Sequence, residues 1–422
     1  MAVRISHLAT LLLLTFLSKA IHGLSKEFPE MARFDQVMKM LMAYSNVPGA
    51  QLAVAKGGEL KYFKAFGIAN RDTGAPVVTD SVMRYNSISK VITGTAILKL
   101  VQEGKLSLDY KPFRDLDYLE PPKGTTVDSR LQDITVQNLL QHTGGWDRTA
   151  ADIDILSLPA TLYAAQALNR PPPPTPQEAI RFMKGLPLDF PPGSEMQYSN
   201  FGYIVLGRVV EKAAGVPYGR YVHENLLQPL GLTGILLGHT QLDLRAPDEV
   251  VYYGRNGEDS LWVSIFPGQG FVNHSYASLD YSNLDSVAGW IGSAGDIVRF
   301  VDHIDGLRAP AILRADMVYA MLNAPMPSKR YLKGDPLFDH SRGLNVFVSV
   351  DGNGKITSFQ HRGAATGAHS FVMRLTEENI TFAYVLNTWP LENEFVYIAA
   401  GNLSEVAKSI KNWPDHMTCV SR

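Results

Sequence analysis

The sequence predicts an α+β fold: strands from the two ends of the chain share one antiparallel sheet, flanked by helices, with a large, mostly helical lobe inserted between them. Two apolar-rich runs on either side of Lys56-Gly57-Gly58-Glu59 read as a β-hairpin near the N-terminus. Strand patterns return only after residue 340, and the stretch of roughly 110–330 reads as helix and loop.

The first residues carry a targeting pattern. Arg4 precedes an apolar run from Leu8 to Leu17 broken only by Thr10 and Thr15. Ser18 and Ala20 follow at a −3/−1 spacing, with Gly23 as a second cleavage point, so residues 1–23 read as a secretory signal. Such a run crosses only about half of a bilayer core, and no later stretch is long and apolar enough to span one. A secreted protein, extracellular or periplasmic, is expected, without a stable membrane span.

The elements follow in order. A helical lead-in covers 34–44, and the hairpin covers 49–70. From Ser87 the pattern turns helical, and Val91, Ile92, Ala96, Ile97, Leu98, Leu100 and Val101 are too densely apolar for a surface helix. Gly104 is placed to stop it. Pro171 to Pro174 is a stiff linker, after which Thr175, Pro176 and Glu178 form a capping box with proline at the first helical position. A helix over 201–214 is closed by Gly215, and Ser293 with Asp296 caps another that turns Ile297, Val298, Phe300, Val301 and Ile304 inward. Leu344, Val346, Val348 and Val350 alternate as a strand, followed by strands around 357–361, 369–375 and 380–386 and a helix over 394–410. The expected organisation is one catalytic domain over 24–412 and a tail over 413–422.

Composition narrows the function. The chain is 45% hydrophobic and 19% charged, with 39 Lys and Arg against 41 Asp and Glu and no basic cluster. An ordinary globular core is expected, and neither nucleic acid nor an anionic membrane is an expected partner. Cys419 is the only cysteine, so no internal disulfide and no cysteine metal site can form. No Gly-x-Ser-x-Gly elbow, His-Glu-x-x-His or phosphate-binding glycine loop is present, so no metal or cofactor is expected. Asn273, Asn379 and Asn402 head triplets that fit the N-glycosylation pattern.

Three short elements carry chemistry. In Ser87-Ile88-Ser89-Lys90 the two end residues share a helix face, so Lys90 can reach the Ser87 hydroxyl. Serine is a poor nucleophile until a neighbour takes its proton, and the apolar residues around Lys90 supply the burial a lysine base requires. Taken alone, the tetrapeptide fits a helical turn with a serine cap equally well. In Tyr198-Ser199-Asn200 a phenol can shuttle a proton and a carboxamide can hold a substrate carbonyl, although a structural tyrosine and an asparagine cap fit the same residues. In His361-Arg362-Gly363 the glycine admits a substrate close to the strand, and the Ala364 N–H could join the Ser87 N–H as an oxyanion hole. A histidine on a strand also fits a structural role. Strand alternation puts Arg362 on the face opposite His361.

The order Ser-x-x-Lys, Tyr-x-Asn, His-x-Gly resembles the serine β-lactamase and penicillin-binding protein superfamily, and its middle element resembles the class C branch with its esterase and D-peptidase relatives. The stretches from Ile134 to Gly145 and from Gly289 to Phe300 agree, and the resemblance runs from about Phe34 to Ile410. It implies an acyl-enzyme on Ser87, with Lys90 and Tyr198 managing the proton and Asn200, His361, Gly363 and Ala364 contacting an ester or amide (peptide) substrate. Antibiotic-hydrolysing members carry Lys-Thr-Gly or Lys-Ser-Gly where this chain has His361, Arg362 and Gly363. That departure predicts an esterase or peptidase and a poor β-lactamase. The alternative is a catalytically silent relative that binds or scaffolds, against which the complete set of Ser87, Lys90 and Tyr198 argues.

Overall fold

The computed structural model describes residues 29–116, 119–147, 154–327, 343–390 and 394–419. The signal segment lies outside them. From the N-terminus the elements that build the site are α1 (Ala32–Tyr44), β1 (Gly49–Lys56), β2 (Glu59–Asn70), β3 (Met83–Arg84), α2 (Ser89–Gln102), α3 (Pro176–Lys184), α4 (Asn200–Ala214), β4 (Trp290–Gly292), α5 (Ala294–Ile304), β5 (Phe347–Val350), β6 (Ile356–Ala365), β7 (Ala368–Leu375), β8 (Ile380–Leu386), α6 (Phe395–Ser409) and β9 (Thr418–Cys419).

The main sheet has the order β9-β2-β1-β8-β7-β6-β5, with the short strand Ala75–Pro76 pairing on β2 to make eight. The two chain ends meet at the antiparallel pair β1–β8, in which Ala53 faces Ala383. The predicted α+β architecture is therefore the observed one. Register assigns the two faces. Ala53, Ala383, Val372 and His361 lie across from one another on one face, and Leu52, Tyr384, Phe371 and Arg362 on the other. The second face packs on α1 and α6 through Phe34, Met38, Leu41, Phe395, Leu403 and Val406. The first packs on α5, and its core is continuous with α2 and the helices of the inserted lobe.

Local signals explain the helix ends. Thr175 and Ser293 each form the full capping box with Glu178 and Asp296, and Gly215 ends α4 in the left-handed conformation at φ 71°. Helix α2 is buried nearly all round from Ser89 to Leu100. It crosses beneath the segment leading into β5 so closely that a Cβ on Gly94 would lie 2.1 Å from Asn345 Cβ.

Four segments differ from expectation, one of them β6, which runs on to Ala365 where the sequence reading ends the strand near His361. The strand predicted from Leu344 begins at Phe347, because the Gly343 and Leu344 N–H groups donate to Ala324 and Met321 carbonyls at the end of helix Ala315–Asn323 rather than to the sheet. The lobe also contains short strands: β4 pairs β3 and Leu236–Leu237, and Leu261–Val263 pairs Phe271–Asn273. The tail adds β9 in parallel to β2, Thr418 opposite Tyr62. Among the described residues no helix is long and apolar enough to cross a membrane.

Candidate active site

Strand β3 delivers the chain to the candidate nucleophile through a fully anchored turn. The Arg84 guanidinium is buried within 4.0, 5.2 and 4.3 Å of the Tyr252, Tyr276 and Tyr281 ring centres. Cation–π contact compensates part of its desolvation. The Tyr252 hydroxyl accepts from the Arg84 N–H at 2.9 Å and donates to Glu249 at 2.7 Å. The Tyr85 hydroxyl donates to the Ser293 carbonyl, and the Tyr85 carbonyl accepts from the Ser370 hydroxyl at 2.6 Å. Asn86 adopts φ 48°, a conformation that non-glycine residues rarely take and asparagine tolerates best. After this turn, Ser87 is the sole residue between Ser81 and Lys90 that is not buried.

Lys90, fully buried, donates to Ser87 Oγ at 2.9 Å and to the Val287 carbonyl at 3.2 Å. The three-residue spacing thus yields the predicted contact, and the Val287 carbonyl fixes where the amine sits. The Lys90 Nζ also lies 5.1 Å from the Tyr198 ring centre and 5.7 Å from that of Tyr203. Tyr198 is half-buried, between buried Gln197 and Ser199.

A second histidine stands here. The His142 ring stacks on Tyr198 at 4.3 Å and 28°, and it lies 6.4 Å from Phe347, which is itself 5.4 Å from His361. These four rings form one wall linking the helical lobe to the sheet.

Ser199 rather than Asn200 caps α4, its hydroxyl accepting from the Gly202 N–H. The Asn200 amide nitrogen donates to both carboxylate oxygens of Asp154, at 3.1 and 2.9 Å, and its buried Oδ1 has no hydrogen-bond partner among the described residues. A carbonyl-holding role would require this nitrogen to leave Asp154.

Strand β6 supplies the remaining candidates. Gly363 lies against the turn that carries Ser87: a Cβ there would stand 2.1 Å from the Tyr85 carbonyl oxygen and 2.9 Å from the Ser87 nitrogen. Ala364, next along the strand, is half-buried. Buried His361 bonds through Nδ1 to the Arg362 carbonyl at 2.8 Å. A carbonyl only accepts, so Nδ1 carries the proton and Nε2 is left as an acceptor. Burial and the neighbouring Lys90 push the His361 pKa down to about 3. Arg362 turns to the opposite face, with Phe371 and Tyr384.

Four residues of this arrangement were given no role by sequence reasoning, although His142 lies within the Ile134 to Gly145 stretch that carries the resemblance. His142 and Asp154 sit in segments whose partners are remote, the Val287 contribution is a main-chain carbonyl with no side-chain signature, and Tyr281 acts through Asn86. Among the described residues no group of three or more His, Cys, Asp or Glu could hold a metal ion.

A family model described as Beta-lactamase matches residues 34–405. Esterase EstB of Burkholderia gladioli is 33% identical over 65% of this chain and 69% of its own length. A putative D-alanyl-D-alanine carboxypeptidase of Escherichia coli is 25% identical over 59% of this chain and 58% of its own. Among solved structures, the D-amino acid amidase of Ochrobactrum anthropi superposes with a TM-score of 0.66 at 19% identity, covering 91% of this chain and 99% of that one.

Proposed function

The chain belongs to the beta-lactamase family, and on that premise we propose that it is an exported serine acyl-hydrolase that cleaves an ester or amide bond through an acyl-enzyme on Ser87. The observation that carries this reading is the 2.9 Å contact between the Lys90 amine and the Ser87 hydroxyl, made where Ser87 alone emerges from a buried run. Ser87 Oγ attacks the substrate carbonyl while its proton passes to the Lys90–Tyr198 pair. The Ser87 and Ala364 N–H groups receive the developing oxyanion. The collapsing intermediate releases the alcohol or amine, which takes up that proton, and water then attacks the acyl-enzyme by the same route in reverse.

The third element supports a substrate without a carboxylate beside the scissile bond. His361 is neutral and offers an acceptor, which attracts no anion, and Arg362 faces away. Short-chain esters and amides are the preferred class, and β-lactam antibiotics a poor one. The relatives named as an esterase and an amidase fit that class.

The test is intact-protein mass spectrometry after a fluorophosphonate or an activated ester, with Ser87→Ala as control. A single adduct lost in Ser87→Ala supports the reading. An adduct that survives places the nucleophile elsewhere, and no adduct with any probe favours a silent binding protein. Export, with residues 1–23 removed and the catalytic domain spanning 24–412, is checked by N-terminal sequencing of the native protein; an intact Met1 on a cytosolic product overturns it.

A further inference from the structure

We propose that His142 is a positioning residue that sets the direction of the Tyr198 phenol for proton transfer. The inference rests on the role given to Tyr198 in the proposed function. His142 grips the chain on both sides of that tyrosine. Its carbonyl accepts from the Gln197 N–H at 2.9 Å, and its Nδ1 accepts from the Ser199 N–H at 3.2 Å. Its ring lies against the intervening phenol at 4.3 Å. Three successive residues, 197 to 199, are therefore held by one side chain and its own backbone.

The grip is built into the fold at some cost. His142 is 4% exposed and adopts φ 59°, which a residue with a Cβ takes only when its surroundings enforce it. The enforcing contacts are visible. The Thr143 N–H donates to the Asn138 carbonyl at 2.8 Å, the Gly193 N–H donates to the Thr143 carbonyl at 2.8 Å, and the Tyr203 hydroxyl donates to the Leu140 carbonyl at 3.2 Å. The Gln141 amide reaches across to the Pro325 carbonyl at 2.8 Å. The turn that carries His142 is thus fixed to α4 and to the segment before Tyr198, and the imidazole can transmit that rigidity to the phenol.

The chemistry selects histidine. An Nδ1 that accepts a main-chain N–H must be unprotonated, and a planar ring is needed to stack. Asparagine places an acceptor oxygen near the position of Nδ1 and tolerates the left-handed backbone, but it does not stack. Phenylalanine stacks but offers no acceptor.

Steady-state kinetics of His142→Asn and His142→Phe, each in wild-type and Tyr198→Phe backgrounds with melting curves recorded alongside, test this directly. With Tyr198 present, His142→Phe is expected to lower kcat by about 10- to 100-fold, part of the ~10²- to 10⁴-fold that acid–base help supplies, with KM changed little. His142→Asn should lose less. In the Tyr198→Phe background both changes should cost no more than about 3-fold, because the group they position is gone. Equal loss in both backgrounds, or a KM rise with kcat unchanged, overturns the inference. If His142→Phe does not fold, His142→Asn carries the same comparison, and its kcat remaining at the wild-type value likewise overturns it. Full activity in Tyr198→Phe overturns the inference together with the role of Tyr198, whereas failure of the whole functional reading is registered separately, by the absence of a Ser87 adduct.

Discussion

The Tyr281 hydroxyl donates to Asn86 Oδ1 at 2.8 Å, and Asn86 is the left-handed residue immediately before Ser87. The Asn86 amide in turn donates to the Ala368 carbonyl at 3.0 Å, so the side chain that sets the direction of the Ser87 N–H is held from both sides. Tyr281→Phe frees one side and leaves a buried acceptor unsatisfied, at a cost of about 1–3 kcal/mol. Loss of kcat with KM nearly unchanged is the expected outcome, and a slower fluorophosphonate reaction should accompany it. Unchanged labelling in a protein of lowered melting temperature would show that the bond serves stability only.

Gly363→Ala tests the close approach of β6 to the turn that carries Ser87. The added methyl would press on the Tyr85 carbonyl, the Ser370 hydroxyl and the Ser87 nitrogen, none of which can give way freely. Overpacking of this kind costs about 1–3 kcal/mol. If β6 and that turn frame the proposed oxyanion hole, turnover of a p-nitrophenyl ester should fall at least about 100-fold, the scale of losing one oxyanion donor. Wild-type turnover would remove β6 from the proposed hole.

Lys90 and Tyr198 should behave as one unit. Lys90→Ala and Tyr198→Phe are each expected to cost ~10²- to 10⁴-fold in kcat, and the double variant far less than the product of the two. Multiplicative losses would assign them to separate steps.

His361 stays neutral across the working range, since burial and Lys90 hold it near 3. No limb of the pH–rate profile between pH 5 and 8 should therefore vanish in His361→Gln. Nitrocefin should be hydrolysed far more slowly than the best ester, and His361→Lys should lower KM for carboxylate-bearing substrates. Efficient wild-type nitrocefin turnover would contradict the specificity argued from this residue.

Stability carries its own pH signature at Asp302. This carboxyl is fully buried between α5 and β8, where one oxygen accepts from the Thr381 hydroxyl and the other has no hydrogen-bond partner among the described residues. Burial pushes its pKa up to about 7. Its unfolded value is near 3.9, so between roughly pH 4 and 7 the folded chain keeps a proton that the unfolded chain releases, and stability is lost as pH rises through that window. Asp302→Asn should therefore gain on the wild type by up to roughly 4 kcal/mol between pH 4 and 7 and stay level above. Urea denaturation at pH 4.5, 6 and 8 measures the difference; a pH-independent difference would refute it.

What the sequence alone determined is local. The periods of 2 and 3.6 residues, the capping boxes at Thr175 and Ser293, and the glycine after α4 are consequences of backbone geometry over a few residues, and they placed β7, β8, α4 and the start of α3 within a residue or two. The three-residue spacing of Ser87 and Lys90 belongs to the same class, whereas the turn that presents Ser87 and the Val287 carbonyl that fixes the amine come from remote parts of the chain. Tertiary structure alone decided the partners of the polar groups. Asn200 turns its amide to Asp154, 46 residues upstream, Tyr281 reaches Asn86 across 195 residues, and the chain before Phe347 bonds to a helix end instead of the sheet. No spacing in the sequence announces such pairings, since a buried donor or acceptor must be satisfied but the chain leaves open by which group until packing brings the candidates together.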